Sequence, residues 1–392
     1  MKRILQLYIL LFSIYFYSQP IITFSDNTFK AKLLSATATN GVARNSSGIS
    51  MKIDVNNDNQ IQITEAQNVA HLWLLASNIN SIQGIAGFSN LKFLNVSSNN
   101  LNSIDVSQNL LLEDLRLENN NVSVLNTSQN SQLKKLLISY NNINNLDLTQ
   151  NVNLETLFCG NNVLNNLNVN TNTLLKSLMC MDNNISSINL SNNLLLESLT
   201  VDSNPITSLN LVNNANLKHV SCRWINISYL NLSENVILES FNCSNNSLLN
   251  IIDVRNGNNY NMFSSGVTKM NNCPQLTCIY VDSTGNTNVL NSWLKDWTAT
   301  YVNNEAQCNT LNVADFSYKP MVKIYPNPTN SFIYIKIDHN LMNSEYTLLE
   351  MNGKIIKNGT LHNEITLIDI SNLNSNVYIL NLNKENFKII KY

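Results

Sequence analysis

Asp54, Asn56, Asp58, Gln60, Gln62 and Glu65 occupy positions 1, 3, 5, 7, 9 and 12 of the twelve-residue segment DVNNDNQIQITE. Hard oxygen donors at this spacing, closed by a glutamate that can bind through both oxygens, are what a calcium loop of the EF-hand type requires. Ile61 supplies the apolar position 8. Asn59 stands where glycine is usual, and asparagine tolerates the left-handed backbone needed there. The spacing predicts one structural Ca2+ site held by Asp54, Asn56, Asp58, Gln60 and Glu65, with a dissociation constant of about 0.1–1 mM. The competing reading is an ordinary Asp/Asn-rich turn. Catalytic chemistry is thin. Of His71, His219, His339 and His362, only His219 has serines at flanking register positions, Ser198 and Ser240, and no carboxylate is expected to orient its imidazole. Asp182 and Asp202 have no support as an acid/base pair. Glycine-rich phosphate loops and zinc-type Cys/His spacings are missing from the sequence, so the expectation is a non-enzyme.

The elements that must carry these residues are repeats. Leucine recurs every 21 residues, at Leu91, Leu112, Leu133, Leu154, Leu175, Leu196, Leu217 and Leu238. Each coil follows L-x-x-L-x-[LIVC]-x-x-N-x-[LIV]-x-x-[LI]-x-[LV]-x-x-N, a leucine-rich repeat, and a fixed period of this size means stacked coils. The expected fold class is an α/β-type repeat solenoid with a parallel β-sheet on its concave face, one strand per coil (roughly +2 to +6 from the leucine) and rungs about 4.8 Å apart. Asparagine at +8, from Asn99 to Asn246, can donate and accept at once to backbone groups freed by the turn. Ile225 interrupts that series, with Asn226 one place late, which predicts a local irregularity. A second series at +18 runs unbroken from Asn109 to Asn256. Position +1 alternates Lys92, Glu113, Lys134, Glu155, Lys176, Glu197, Lys218 and Glu239, an ion-pair ladder that fixes the register. A first, 22-residue copy begins at Val69, and a last degenerate rung is expected at Leu276, Ile279 and Val281.

With inward positions assigned, the outward ones become candidates for binding. Leu137, Phe158 and Met179 form an apolar column at +4, with Tyr140 and Met181 beside it and Arg223 and Trp224 further along. Three apolar side chains in register suggest an interaction patch, and Met, Tyr, Trp and Arg are favoured in interfaces. Coils this short carry no long loop to cover the column. The expected partner is a protein or glycan on another cell or matrix. A passive structural envelope component is the second reading, and a secreted hydrolase the third.

Composition agrees with an exported binding module. Charged residues make up 13% of 392 and the net charge is -2, so nucleic acid is not an expected partner. Seventy-six asparagines, 76 in the whole chain, take the polar role. Residues 1–18 read as a signal peptide: Lys2 and Arg3, then an apolar run from Ile4 to Tyr17. Residues 19–68 are then an N-terminal cap and 69–310 the repeat domain with its C-terminal cap. Cys159, Cys180, Cys222 and Cys243 fall at inward +5 positions as small hydrophobes. A disulfide between Cys278 and Cys308 is expected to close the cap in an oxidising compartment.

From residue 321 to 392 the period vanishes and short alternating strands suggest a small antiparallel β-sandwich, with Asn352-Gly353 as a two-residue hairpin turn. This tail resembles the C-terminal sorting domain of type IX secretion substrates of Bacteroidetes. The matching residues are Tyr325-Pro326-Asn327-Pro328-Thr329-Asn330, Gly353-Lys354, Ile368-Asp369-Ile370-Ser371-Asn372-Leu373, Val377-Tyr378-Ile379-Leu380 and Lys388-Ile389-Ile390-Lys391. Ser331 and Asn376 depart from it, where that family usually has glycine. The resemblance implies handling by the type IX machinery, passage through the outer membrane, and attachment to the cell surface or release. The coils, the loop before them and the NCPQLTCIYVD segment resemble internalin-like surface proteins of that phylum.

Overall fold

The computed structural model describes residues 19–263, 268–311, 322–382 and 385–392, so the signal-peptide segment lies outside the described residues. The chain divides into two compact units, one ending at Leu311 and one beginning at Asn312.

The first unit is the solenoid. Its main sheet has twelve strands. Ala43–Arg44 of the cap pairs antiparallel with His71–Trp73, and every later pairing is parallel, from Phe93–Asn95 through Ser240–Asn242 to Lys269–Met270 and Leu294–Lys295. Strands in the regular coils are three residues long, +2 to +4, shorter than the +2 to +6 expected from sequence. They end early because the residue at +7 is left-handed in every coil from Ser98 to Asn245, which no strand can accommodate. The leucines at +0 and +3 are fully buried and form one continuous core with the +5, +10 and +13 side chains.

Both asparagine series are structural. Asn162 Nδ2 donates to the carbonyls of Ile138 (3.0 Å) and Cys159 (3.1 Å), and its Oδ1 accepts from Ile143 N (2.9 Å). Asn193, at +18, donates to Val169 O (3.0 Å) and Asn172 O (2.9 Å). Each side chain thus ties its coil to the one before it. Where Ile225 replaces asparagine, the neighbouring ladder bond from Trp224 N to Ser244 O stretches to 3.4 Å, against 2.8 Å for Ser203 N to Arg223 O one coil earlier. That coil also starts a new element. A second parallel sheet runs Tyr229–Asn231, Ile251–Asp253, Cys278–Tyr280, Thr300–Val302. The rung expected at Leu276, Ile279 and Val281 belongs to this second sheet, not to the main one. The reason is coil length: Asn242 pairs with Lys269, and Lys269 with Leu294, spacings of 27 and 25 residues in place of 21. A longer coil has enough chain for a strand on each side.

The ion-pair ladder is realised as discrete pairs. Glu113, Glu155 and Glu197 hold Lys134, Lys176 and Lys218 of the following coil at 2.7–2.8 Å, while Lys92 lies 3.7 Å from Glu113. In the cap, helix Asn27–Leu34 is N-capped by Asp26, whose Oδ1 accepts from Thr28 N (2.7 Å) and Phe29 N (3.0 Å). Its Oδ2 accepts from Asn80 N (2.6 Å) and Ser81 N (3.1 Å), which fastens the cap to the first coil.

The second unit has seven strands in two antiparallel sheets. Lys323–Tyr325, Phe332–Lys336 and Ile365–Asp369 form one; Ile355–Thr360, Glu345–Glu350, Asn376–Leu382 and Glu385–Lys391 form the other. Ile333, Ile335, Leu348, Ile368, Leu380 and Ile389 fill the space between them. The Asn352-Gly353 turn is longer than the two residues expected. Glu350 N bonds Lys354 O at 2.9 Å around Met351–Gly353, with Gly353 at φ +86°. A bulge between Leu348 and Leu349 absorbs the extra residue.

Candidate functional site

The left-handed +7 position decides which side chains leave the sheet. Ser98, Asn119, Asn161, Asp182, Ser203 and Asn245 are small and polar, as that conformation favours. Tyr140 (φ +58°) and Trp224 (φ +51°) break the pattern, and both are 51% exposed. Bulky residues held in this region carry strain, which concentrates at functional positions.

Along the outward face, Leu137, Phe158 and Met179 lie side by side in register, each half-buried. Tyr140 stands at the rim of the same coil as Leu137. Met181 lies against Gly160, where a Cβ would meet Met181 Cγ at 3.0 Å. Met181, Arg223 and Trp224 come together with Asp182, Asp202 and Ser203 around one open concavity of about 550 Å3; the Leu137–Phe158–Met179 column and Tyr140 do not line it. Asp202 is 2% exposed. It accepts from Ser221 Oγ (2.7 and 2.9 Å), Arg223 N (2.8 Å) and Arg223 Nε (2.7 Å), and the Arg223 guanidinium stacks 4.8 Å from the Trp224 ring. Asp202 is therefore the positioning group of Arg223, a role the sequence reading missed. The sign of it was available: Asp202 and Arg223 hold the same +6 place in adjacent coils, as the lysines and glutamates do at +1.

Two further arrangements were not anticipated. At the start of the sheet Trp73 and Phe93 stack at 4.5 Å, with Arg44 4.4 Å over Trp73 and Arg116 5.1 Å over Phe93. Each ring face is already covered by a neighbour, so the cluster reads as packing between cap and first coils. His219 does have a carboxylate near it, contrary to expectation: its Nδ1 is 3.0 Å from Ser240 Oγ and its Nε2 3.8 Å from Glu239 Oε2. That second distance exceeds a hydrogen bond, and both side chains are more than 40% exposed. The arrangement lacks the buried, oriented carboxylate of a nucleophilic triad.

The loop at 54–65 is closed by Glu65. Its Oε1 accepts from Val55 N (2.8 Å) and Asn56 N (3.4 Å), and its Oε2 from Gln62 N (3.1 Å). Asp54 accepts from Asp58 N and Asn59 N, both at 3.2 Å, with Asn57 and Asn59 left-handed. Asn56, Asp58, Gln62 and Glu65 border a concavity of about 470 Å3. The backbone N–H of Gln60 holds the Asp58 carboxyl below its ordinary value, despite slight desolvation. Gln60 itself turns away: its side-chain oxygen accepts from Lys30 Nζ at 2.8 Å, leaving only its carbonyl for a position-7 role. Among the described residues no three His, Cys, Asp or Glu side chains converge in metal-holding geometry.

Cys278 and Cys308 are disulfide-bonded, with Cα atoms 5.7 Å apart. Cys159, Cys180, Cys222, Cys243 and Cys273 are free and buried. Burial, with the Asp202 charge adding to it, pushes the Cys180 thiol up to about 12, so these thiols are unreactive core groups.

Residues 323–392 match the secretion system C-terminal sorting domain. The chain ends in a type IX sorting tail. That tail directs export to the cell surface or extracellular space. The solenoid is similar in fold to an internalin of Listeria monocytogenes, at 16% identity and TM-score 0.52 over 76% of this chain and 96% of that one. A leucine-rich repeat protein of Leptospira interrogans is also similar, at 20% identity and TM-score 0.44 over 55% of this chain and 62% of that one. No curated protein matches in sequence. The protein is thus a secreted surface protein with an internalin-like leucine-rich repeat fold.

Proposed function

We propose that the outward face of the main sheet binds another protein at the cell surface, through the apolar column of Leu137, Phe158 and Met179 with Tyr140 and Met181 beside it. The observation that carries this is the column itself: three apolar side chains in adjacent register on an open sheet face, flanked by an aromatic residue kept in an unfavourable backbone conformation. Polar residues at those places would serve folding equally well. The test is capture by immobilised full-length protein from outer-surface and matrix protein fractions. The double variant Phe158→Ala/Met179→Ala should lose the captured partner while keeping the parent circular dichroism spectrum. Equal capture by parent and variant, or capture of nothing, refutes the reading and favours a passive structural role.

We also propose that the cap loop takes one Ca2+ through Asp54, Asn56, Asp58, the Gln60 carbonyl and Glu65, stiffening the joint to the first coil. Hard oxygens at EF-hand spacing around one concavity support this. At about 10 mM Ca2+ and a dissociation constant of about 0.1–1 mM, binding adds about 1.4–2.7 kcal/mol to stability. A melting temperature indifferent to Ca2+ in the parent, or equally raised in Asp58→Asn, disproves it.

A further inference from the structure

Arg223 differs from the other paired arginines. Arg116 gives Nε and Nη2 to the two oxygens of Asp114, both at 3.0 Å. Arg255 gives the same two nitrogens to Asp253, at 3.0 and 2.6 Å, and reaches Glu305 as well. Arg223 gives Asp202 only its Nε, so among the described residues its Nη edge meets no acceptor. Asp202 is buried and saturated, balances the guanidinium charge and fixes its plane. The edge left over faces the concavity shared with Asp182, Ser203 and Trp224. Asp182 is exposed, and no partner of its carboxylate or of the Ser203 hydroxyl is found among the described residues.

We infer that this concavity is a subsite for one hexopyranose unit of a neutral glycan. Donors (the Arg223 Nη groups) and acceptors (the Asp182 carboxylate) converge with a hydroxyl of both kinds (Ser203), the complement of a ring of vicinal hydroxyls. The exposed indole of Trp224 offers an apolar face to the C–H side of such a ring. Charge excludes the obvious alternative. Arg223 is already balanced by Asp202, so the uncompensated charge is that of Asp182, which repels a uronate or an acidic peptide side chain. The volume lies within the range of small-ligand sites. This inference is independent of the protein-binding reading, since the Phe158 and Met179 side chains lie outside the concavity.

The test is saturation-transfer NMR on the full-length protein with a panel of methyl hexopyranosides and the corresponding methyl uronates. At least one neutral glycoside should receive saturation at its ring C–H protons, with a dissociation constant on the order of 1 mM. Trp224→Ala and Arg223→Gln should each weaken it about tenfold or more. Arg223→Lys keeps a charge on Asp202, and so protects folding, but loses the fork; it should weaken binding similarly. Phe158→Ala/Met179→Ala should leave it unchanged. Absence of binding by every neutral glycoside, tighter binding of a uronate than of its neutral parent, or unaltered binding in Trp224→Ala each overturns the assignment.

Discussion

Replacing Tyr140 by alanine and by asparagine separates the strain at its backbone from the value of its ring. A non-glycine residue in the left-handed region costs about 1–2 kcal/mol, and asparagine recovers much of this because its short amide bonds locally. Tyr140 sits at φ +58°, in a place that six other regular coils fill with serine, asparagine or aspartate. Against the strain stands burial. The ring is 51% exposed, so about half of a ~200 Å2 side chain is covered, about 2.5 kcal/mol at ~25 cal/mol/Å2. Residual compaction of the unfolded chain lowers that to about 2 kcal/mol. Tyr140→Ala loses the burial and keeps the strain, and is destabilised by about 2 kcal/mol. Tyr140→Asn loses the same burial but sheds about 1 kcal/mol of strain, so it should melt about 2–4 °C above the alanine variant. Thermal unfolding gives the first comparison and partner capture the second, in which both variants should be equally impaired. If asparagine melts no higher than alanine, the backbone stores no strain at Tyr140. If asparagine captures like the parent, the ring is not a contact.

Asn162→Ala leaves two buried carbonyls and the Ile143 N–H without partners, at about 1–3 kcal/mol each; urea unfolding should show a loss of about 3–5 kcal/mol, and a loss below about 1 would mean the ladder is ornamental. Burial of Asp26 raises its pKa, but the N–H groups of Asn80, Phe29, Ser81 and Thr28 together outweigh this and hold the carboxyl below its ordinary value. Because the folded value is depressed, its contribution is complete above the usual carboxylate range and is lost as pH falls through the depressed value. Asp26→Asn should therefore be less stable than the parent at pH 7, and the gap should close in acid; a gap constant with pH contradicts the assignment. Cys278 and Cys308 are 30 residues apart in sequence, so opening their bridge with Cys278→Ser/Cys308→Ser should cost about 3–4 kcal/mol. Calorimetry of the full chain would reveal it, and an unshifted transition would place the C-terminal cap outside the cooperative unit.

The sequence by itself determined the register, because one period governs everything stacked at a fixed offset. Position in the coil tells which side chains face inward, and a neighbour 21 residues away is a spatial neighbour. The two asparagine series and the alternating lysines and glutamates were legible for that reason, and so was the outward column through Phe158. The sorting tail was legible from its motifs, which match over residues 323–392. Only the tertiary structure decided matters that depend on backbone direction or on competition among donors. Position +7 could be numbered from the repeat, but that it is left-handed, and that Tyr140 and Trp224 are forced into it, is a property of the folded turn. Each glutamate lies between two lysines in sequence, yet Glu155 bonds Lys176 and Glu197 bonds Lys218, since side-chain reach settles which neighbour wins. Past Leu238 the offset itself changes, and the residues that looked like a last rung join a second sheet. The concavity at Arg223 shows the same division. Repetition places Asp202 beside Arg223, but only the geometry shows that one guanidinium nitrogen is taken and the opposite edge is left open.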